Sequence, residues 1–135
     1  MELSGVVVSG TGKATDFVSK RGYLVQLRRT LEMDIFPGTL NLRVDLDEKE
    51  AFLAQVRGFE LTGFTDDGVE YGDLTVYPVI LPNGDAAGIL VLEKTTHEAD
   101  IVEIVAAYNL RKKFTLSDNS VFSVTPGAYV YPQKH

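Results

Sequence analysis

A strict alternation of apolar and polar residues marks one predicted strand near the middle of the chain. The segment "GTLNLRVDL" spans residues 38–46, and its apolar positions are Leu40, Leu42, Val44 and Leu46. A period of two is typical of a strand that buries one face. The polar side chains of Thr39 and Asn41 would therefore leave the other face together.

Further apolar or β-branched runs predict additional strands. They cover residues 2–9, 59–64, 72–81, 86–92, 101–106 and 121–125. Turn-forming clusters separate several of them: "TDDG" at 65–68, "PNGD" at 82–85 and "LSDNS" at 116–120. The Asn83-Gly84 pair is the strongest hairpin signal in the chain.

Three segments have helical features. Residues 22–33 carry Leu24, Leu27 and Leu31 at helical spacing. Residues 47–56 begin with acids, so we expect a short helix capped by Asp47. Residues 109–114 could form a single turn. About six strands, tight turns and two or three short helices predict a mainly β protein built as a small barrel.

Length and charge narrow the class of protein. With 135 residues, 44% of them apolar, we expect one domain over residues 1–125 and a C-terminal extension over 126–135. The net charge of −6 disfavours nucleic-acid binding. The sequence has no cysteine and shows no apolar membrane span and no signal-peptide pattern, so we expect a cytoplasmic protein without disulfides.

Four groups of residues could carry chemistry. The glycines of "SGTGKAT", residues 9–15, would let backbone amides approach a phosphate, although a plain turn has the same pattern. Thr39 and Asn41 offer the oxygen ligands that Mg²⁺ accepts, but on spacing alone they are the polar face of a strand. Glu103 could hydrogen-bond a substrate hydroxyl or face solvent. Tyr108 to Phe114 could hold a nucleobase and a phosphate, or form a basic turn.

In their order along the chain, these motifs resemble the archaeal CTP-dependent riboflavin kinase family. The resemblance rests on residues 5–19, 36–44, 94–114 and 116–124. It implies a six-stranded cradle-loop barrel that transfers the γ-phosphate of CTP to the 5′-hydroxyl of riboflavin, giving FMN and CDP.

The resemblance also implies a role for individual residues. Thr39 and Asn41 match Mg²⁺ ligands, and Thr95 and Glu103 match flavin-contacting positions. Glu103 is the candidate for orienting or deprotonating the ribityl hydroxyl. The positions that match nucleotide contacts are Gly10, Thr11, Gly12, Lys13, Ala14, Thr15, Tyr108, Asn109, Leu110 and Arg111.

Two alternatives stay open at this point. A barrel of this kind could bind flavin or nucleotide without transferring phosphate. It could also be a swapped-barrel DNA-binding protein, against which the net charge counts. The sequence leaves the oligomeric state open.

Overall fold

The computed structural model describes residues 1–10, 19–92 and 99–127. Within these ranges the chain forms nine strands and three helices. The elements are β1 (Leu3–Val8), α1 (Arg21–Leu31), β2 (Leu40–Arg43), α2 (Leu46–Leu53), β3 (Phe59–Leu61), β4 (Phe64–Asp66), β5 (Val69–Tyr71), β6 (Leu74–Ile80), β7 (Ala86–Leu92), β8 (Ile101–Val105), α3 (Leu110–Lys113) and β9 (Val121–Pro126).

Six of the strands close into an antiparallel barrel. Their order is β6-β7-β8-β2-β1-β9, and β9 pairs back with β6 through Val79↔Pro126 and Ile80↔Thr125. Strand β3 adds to the other end of β6, outside the ring, with Phe59 opposite Val76. The structure confirms the mainly β barrel that the sequence predicts.

Alternate residues of each barrel strand fill the interior. On β2, Leu40 and Leu42 are 3% and 0% exposed, whereas Asn41 between them is half-buried and faces outward. The inward residues of the barrel strands form one apolar cluster that includes Leu3, Val7, Leu40, Leu42, Val79, Ala87, Ile89, Val102, Ile104, Phe122 and Val124. Their tight packing leaves the outer wall and the loops as the places for a ligand.

Helix α1 covers part of the outer wall. Its side chains Tyr23, Leu27 and Leu31 are buried in a second apolar cluster with outward residues of β3, β6, β7 and β8. The Tyr23 hydroxyl donates a hydrogen bond of 2.5 Å to the Gly72 carbonyl. In the described part of the chain, no helix has the length and apolar character that crossing a bilayer requires.

The β4–β5 hairpin is a feature that the sequence pattern does not reveal. The predicted strand at 59–64 is in fact divided between β3 and the start of β4. At the tip, Asp67 and Gly68 both have positive φ, 52° and 77°. This geometry suits a two-residue hairpin turn, so "TDDG" belongs to a hairpin of its own.

The start of α2 also differs from the prediction. The cap is Asp45, whose side chain accepts a 3.0 Å hydrogen bond from the Glu48 amide, and Asp47 lies in the first turn. Leu46 therefore opens the helix and is 43% exposed, although the alternation predicted it to be buried. The two-residue period ends where the chain leaves the sheet.

We expect Asp45→Ala to lower the free energy of unfolding by about 1 kcal/mol, because it leaves a helix N–H without its acceptor. The matched variant Asp47→Ala removes only a favourable charge at the helix start and should cost less than about 0.5 kcal/mol. Urea unfolding of both variants measures the difference. Equal losses would contradict the assignment of Asp45 as the cap.

Candidate active site

Strand register places Asn41 and Glu103 side by side on the outer wall. The two residues are direct partners in the β2–β8 ladder. Val102 and Ile104, which flank Glu103, are 1% and 0% exposed inside the barrel, so Glu103 faces outward like Asn41. Directly opposed side chains on one face have Cβ atoms about 4.5–5.5 Å apart. The amide and the carboxylate therefore form one polar spot on the wall.

The side-chain oxygen of Asn41 has an unusual environment. Its Oδ1 atom is buried, and no described residue gives it a hydrogen bond. A buried acceptor without a donor costs free energy, so it is kept only where something else compensates. Such an oxygen is available to a ligand.

Gly10 packs against the side-chain amide of Asn41. In the β1–β2 ladder Val8 lies opposite Asn41, which brings the end of β1 and the residues after it to this part of the wall. A Cβ atom at Gly10 would overlap the side-chain nitrogen of Asn41. The glycine therefore provides space, and the start of the glycine loop contacts the predicted metal ligand.

The oxygen atoms of Thr39 and Asn41 are of the type that ligates a hard cation. Thr39 is half-buried two residues before Asn41, so a hydroxyl and a carbonyl oxygen lie on neighbouring outward positions. Among the described residues there is no group of three or more His, Asp or Glu side chains arranged to hold a metal. Neutral oxygens suit Mg²⁺ that is shared with substrate phosphates, which bring the negative charge themselves.

An open pocket of about 230 Å³ lies beside this spot. Both Thr39 and the segment from Tyr108 to Arg111 line it. The complete lining is Phe36, Pro37, Gly38, Thr39, Leu40, Ile104, Ala106, Tyr108, Asn109, Leu110 and Arg111. Two segments that were proposed separately, one for metal and one for nucleotide, thus face a common cavity.

Tyr108 is fixed in this wall by the β6–β7 hairpin. Its hydroxyl donates a 2.6 Å hydrogen bond to Asp85 and accepts one of 3.1 Å from Asn83. Burial, followed by the hydrogen bond to Asp85, raises the pKa of Tyr108. Its ring also lies 5.1 Å from the ammonium of Lys113. The ring orientation is therefore set before any ligand arrives.

Asn109 and Leu110 use their side chains for structure. The Asn109 side chain caps α3 by accepting a 3.2 Å hydrogen bond from the Lys112 amide. Leu110 is 5% exposed and packs in the barrel core. A ligand in the pocket would meet these two residues mainly through their backbones.

Arg111 is held by a carboxylate from another turn. Its Nη2 atom lies 2.8 Å from Asp118 Oδ1, and Asp118 also accepts a hydrogen bond from the Ser9 hydroxyl at 2.9 Å. The hydrogen bonds from Arg111 and Ser9 hold the pKa of Asp118 below its usual range. The sequence pattern gave no sign of this contact, because Asp118 reads as an ordinary turn residue.

The predicted site residues thus fall into two groups. Within the described ranges, the structure places Gly10, Asn41 and Glu103 together at the polar spot. It places Thr39, Tyr108, Asn109, Leu110 and Arg111 around the pocket, which Asn41 and Glu103 do not line. The predicted residues Thr11, Gly12, Lys13, Ala14, Thr15 and Thr95 lie outside the described residues.

Comparison with known proteins shows which family the chain resembles. A family model named CTP-dep_RFKase, described as domain of unknown function DUF120, matches residues 7–125. The chain is 37% identical over 126 residues to a riboflavin kinase of Ignicoccus hospitalis. The aligned region covers 92% of this chain and 70% of the relative. It is 40% identical over 118 residues to a riboflavin kinase of Pyrococcus furiosus, covering 86% of this chain and 54% of the relative.

A riboflavin kinase of Haloquadratum walsbyi is 35% identical over 130 residues, which are 92% of this chain and 56% of the relative. The chain thus spans little more than half the length of two of these three relatives. The matched region contains all of the barrel except the first four residues of β1 and the last residue of β9, together with the polar spot and the pocket described above. The chain belongs to the CTP-dependent riboflavin kinase family.

Proposed function

We propose that this barrel transfers the γ-phosphoryl group of CTP to the 5′-hydroxyl of riboflavin, giving FMN and CDP. Family membership and the names of the relatives support the reaction class. The observation that carries the proposal is the buried Oδ1 of Asn41, which has no hydrogen-bond partner among the described residues, on a residue that lies between Gly10 and Glu103. A site for donor phosphates and a site for an acceptor hydroxyl would meet at this atom.

Thr39 and Asn41 would hold the divalent cation, in our proposal Mg²⁺. When bound, the cation would neutralise charge on the donor phosphates and on the transferring group. The protein needs few charged groups for such a reaction, because its loose transition state asks chiefly for alignment and charge neutralisation. Asn41 on strand β2, with Thr39 directly before that strand, would supply a fixed point for that alignment.

The nucleotide would lie between the glycine loop, residues 10–15, and the segment from Tyr108 to Arg111. The Tyr108 hydroxyl is already held by Asp85, and Arg111 lines the same pocket. Guanidinium groups bind phosphate oxygens strongly and in defined geometry. These residues would therefore position the donor.

Glu103 would act on the acceptor, with Thr95 as a second contact to the flavin. As the 5′-oxygen of riboflavin bonds to the γ-phosphorus, the bond from that phosphorus to the bridging oxygen breaks and CDP leaves. Glu103 would orient the hydroxyl and accept its proton. The ladder partner Asn41 lies beside it, so the acceptor oxygen and the donor phosphates would be held at adjacent positions.

A turnover assay with riboflavin and each of the four nucleoside triphosphates tests the proposal directly. We expect FMN to form with CTP and Mg²⁺, at a rate that falls to background when the metal is chelated. Chromatography with mass detection separates FMN from riboflavin. Riboflavin binding without any FMN would contradict the kinase and favour a binding module.

The variant Asn41→Leu separates the function of the amide from its structural cost. Leu has a similar shape and removes a buried acceptor that has no donor among the described residues, so we expect the free energy of unfolding to be unchanged or about 1 kcal/mol higher. FMN formation should fall by about a hundredfold or more at any Mg²⁺ concentration, because one ligand oxygen is lost. Thermal unfolding and the turnover assay measure both effects.

The matched control is Arg43→Gln, which changes the next outward residue of the same strand. Arg43 forms an exposed ion pair with Asp100 at 3.3 Å, so its loss should change activity less than about twofold. Similar activity of the Asn41 variant and this control would argue against a metal ligand at Asn41.

The role of Glu103 is tested by Glu103→Gln, which keeps the shape and removes the base. We expect kcat to fall by about a hundredfold, with the KM values for both substrates nearly unchanged, because a general base contributes about 10²–10⁴ to the rate. Glu60→Gln, an exposed carboxylate on β3, is the control. A parental kcat in Glu103→Gln would remove Glu103 from the reaction.

A further inference from the structure

We propose that Asp118 is a positioning residue for the nucleotide: it holds Arg111 and the start of the glycine loop in one arrangement before the phosphates bind. The inference deepens the proposed function and rests on it. None of the sequence motifs assigns Asp118 to the site. The argument depends on the way one short turn is fastened to two segments that would meet the donor.

The turn that carries Asp118 is fixed to the end of β1. The Asn119 amide donates to the Val7 carbonyl at 2.8 Å, and the Val7 amide donates to the Ser120 carbonyl at 2.8 Å. Asn119 has φ 75°, a left-handed conformation that asparagine tolerates better than most residues. These bonds leave the Asp118 carboxylate next to the residues that follow β1.

Asp118 then joins two further segments. Its two oxygens lie 3.0 and 2.9 Å from the Ser9 hydroxyl, which immediately precedes Gly10. Arg111 Nη2 donates to Asp118 Oδ1 at 2.8 Å and lies 3.4 Å from the Val8 carbonyl. The Asp118 carboxylate therefore fixes the position of Ser9, which directly precedes Gly10, relative to the guanidinium of Arg111.

The exposure of this pair indicates what it can do. The side chains of Arg111 and Asp118 are 38% and 55% exposed. Ion pairs at such exposure contribute little to stability, because water screens them. The pair can still affect binding. An arginine side chain that is ordered in advance loses less conformational entropy when the ligand binds. The expected effect is thus on nucleotide affinity.

Another ion pair offers a matched control. Arg28 and Asp34 also pair, with side chains 69% and 82% exposed, and they join the end of α1 to the loop after it. Neither residue lines the pocket. Asp34→Asn removes an exposed pair of the same chemical type without touching the site.

The experiment compares Asp118→Asn with Asp34→Asn and the unmodified protein. We expect Asp118→Asn to raise the KM for CTP and the Kd for CDP about tenfold, the change that follows from losing one hydrogen bond to a charged group. The KM for riboflavin should stay within about twofold. Asp34→Asn should leave all three constants within about twofold. Calorimetry with CDP gives the Kd without turnover.

Ser9→Ala is a second variant, in case Asp118→Asn unfolds. It removes only the loop-side hydrogen bond and should raise the Kd for CDP about threefold, while Arg111 keeps its partner. A Kd for CDP within about twofold of the unmodified protein in both variants would overturn the inference. A parallel rise in the KM values for CTP and riboflavin would also overturn it, because a general structural loss would affect both.

The two proposals fail in different ways. If the unmodified protein binds CDP but forms no FMN, the kinase proposal is refuted. The ratio of the Kd values for CDP of Asp118→Asn and the unmodified protein still tests the role of Asp118. If the unmodified protein forms FMN and Asp118→Asn binds CDP normally, only the inference about Asp118 falls. Failure of the unmodified protein to bind CDP would refute both.

Discussion

The close packing of the barrel interior is the constraint on which the rest of the structure depends. Inward residues of all six strands meet in one apolar cluster, so the interior has no room for a substrate. Among the described residues, the polar ones with a possible chemical role consequently lie on the outer wall or on a loop beside it. The wall is rigid because β9 pairs with β6 and closes the ring. A site built there combines fixed strand positions with loops that can differ in sequence.

Regular alternation made most of the strands predictable, and its failures have local causes. Strand β7 was predicted at its observed bounds, since a turn with Asn83 and Gly84 defines its start. The β4–β5 hairpin was missed, because its three-residue strands are too short for a period to appear and their residues are largely exposed. The cap of α2 was placed at Asp47 because a sequence pattern does not distinguish between the acids at 45, 47 and 48. The backbone conformation selects Asp45, which is extended and accepts the hydrogen bond from the Glu48 amide.

The site was predictable in part. Spacing placed Thr39 and Asn41 on one face, and the resemblance to a family suggested their use. No pattern could reveal that Asn41 Oδ1 is buried without a donor from the described part of the chain, because this depends on the register of β1 and β8 beside β2. The same holds for Asp118, whose partner Ser9 is 109 positions away in sequence. Contacts between distant segments arise from barrel closure, which a single sequence shows only indirectly.

The close approach of Gly10 to the amide of Asn41 has an evolutionary consequence. The backbone at Gly10 does not require positive φ, and among the described residues it is the side chain of Asn41 that occupies the space of a Cβ atom there. Replacement of Asn41 by a smaller residue would free position 10 at once, whereas a side chain at position 10 would require the Asn41 amide to move first. Positions 10 and 41 should therefore change together among related barrels, most often with the change on β2 preceding the one in the loop.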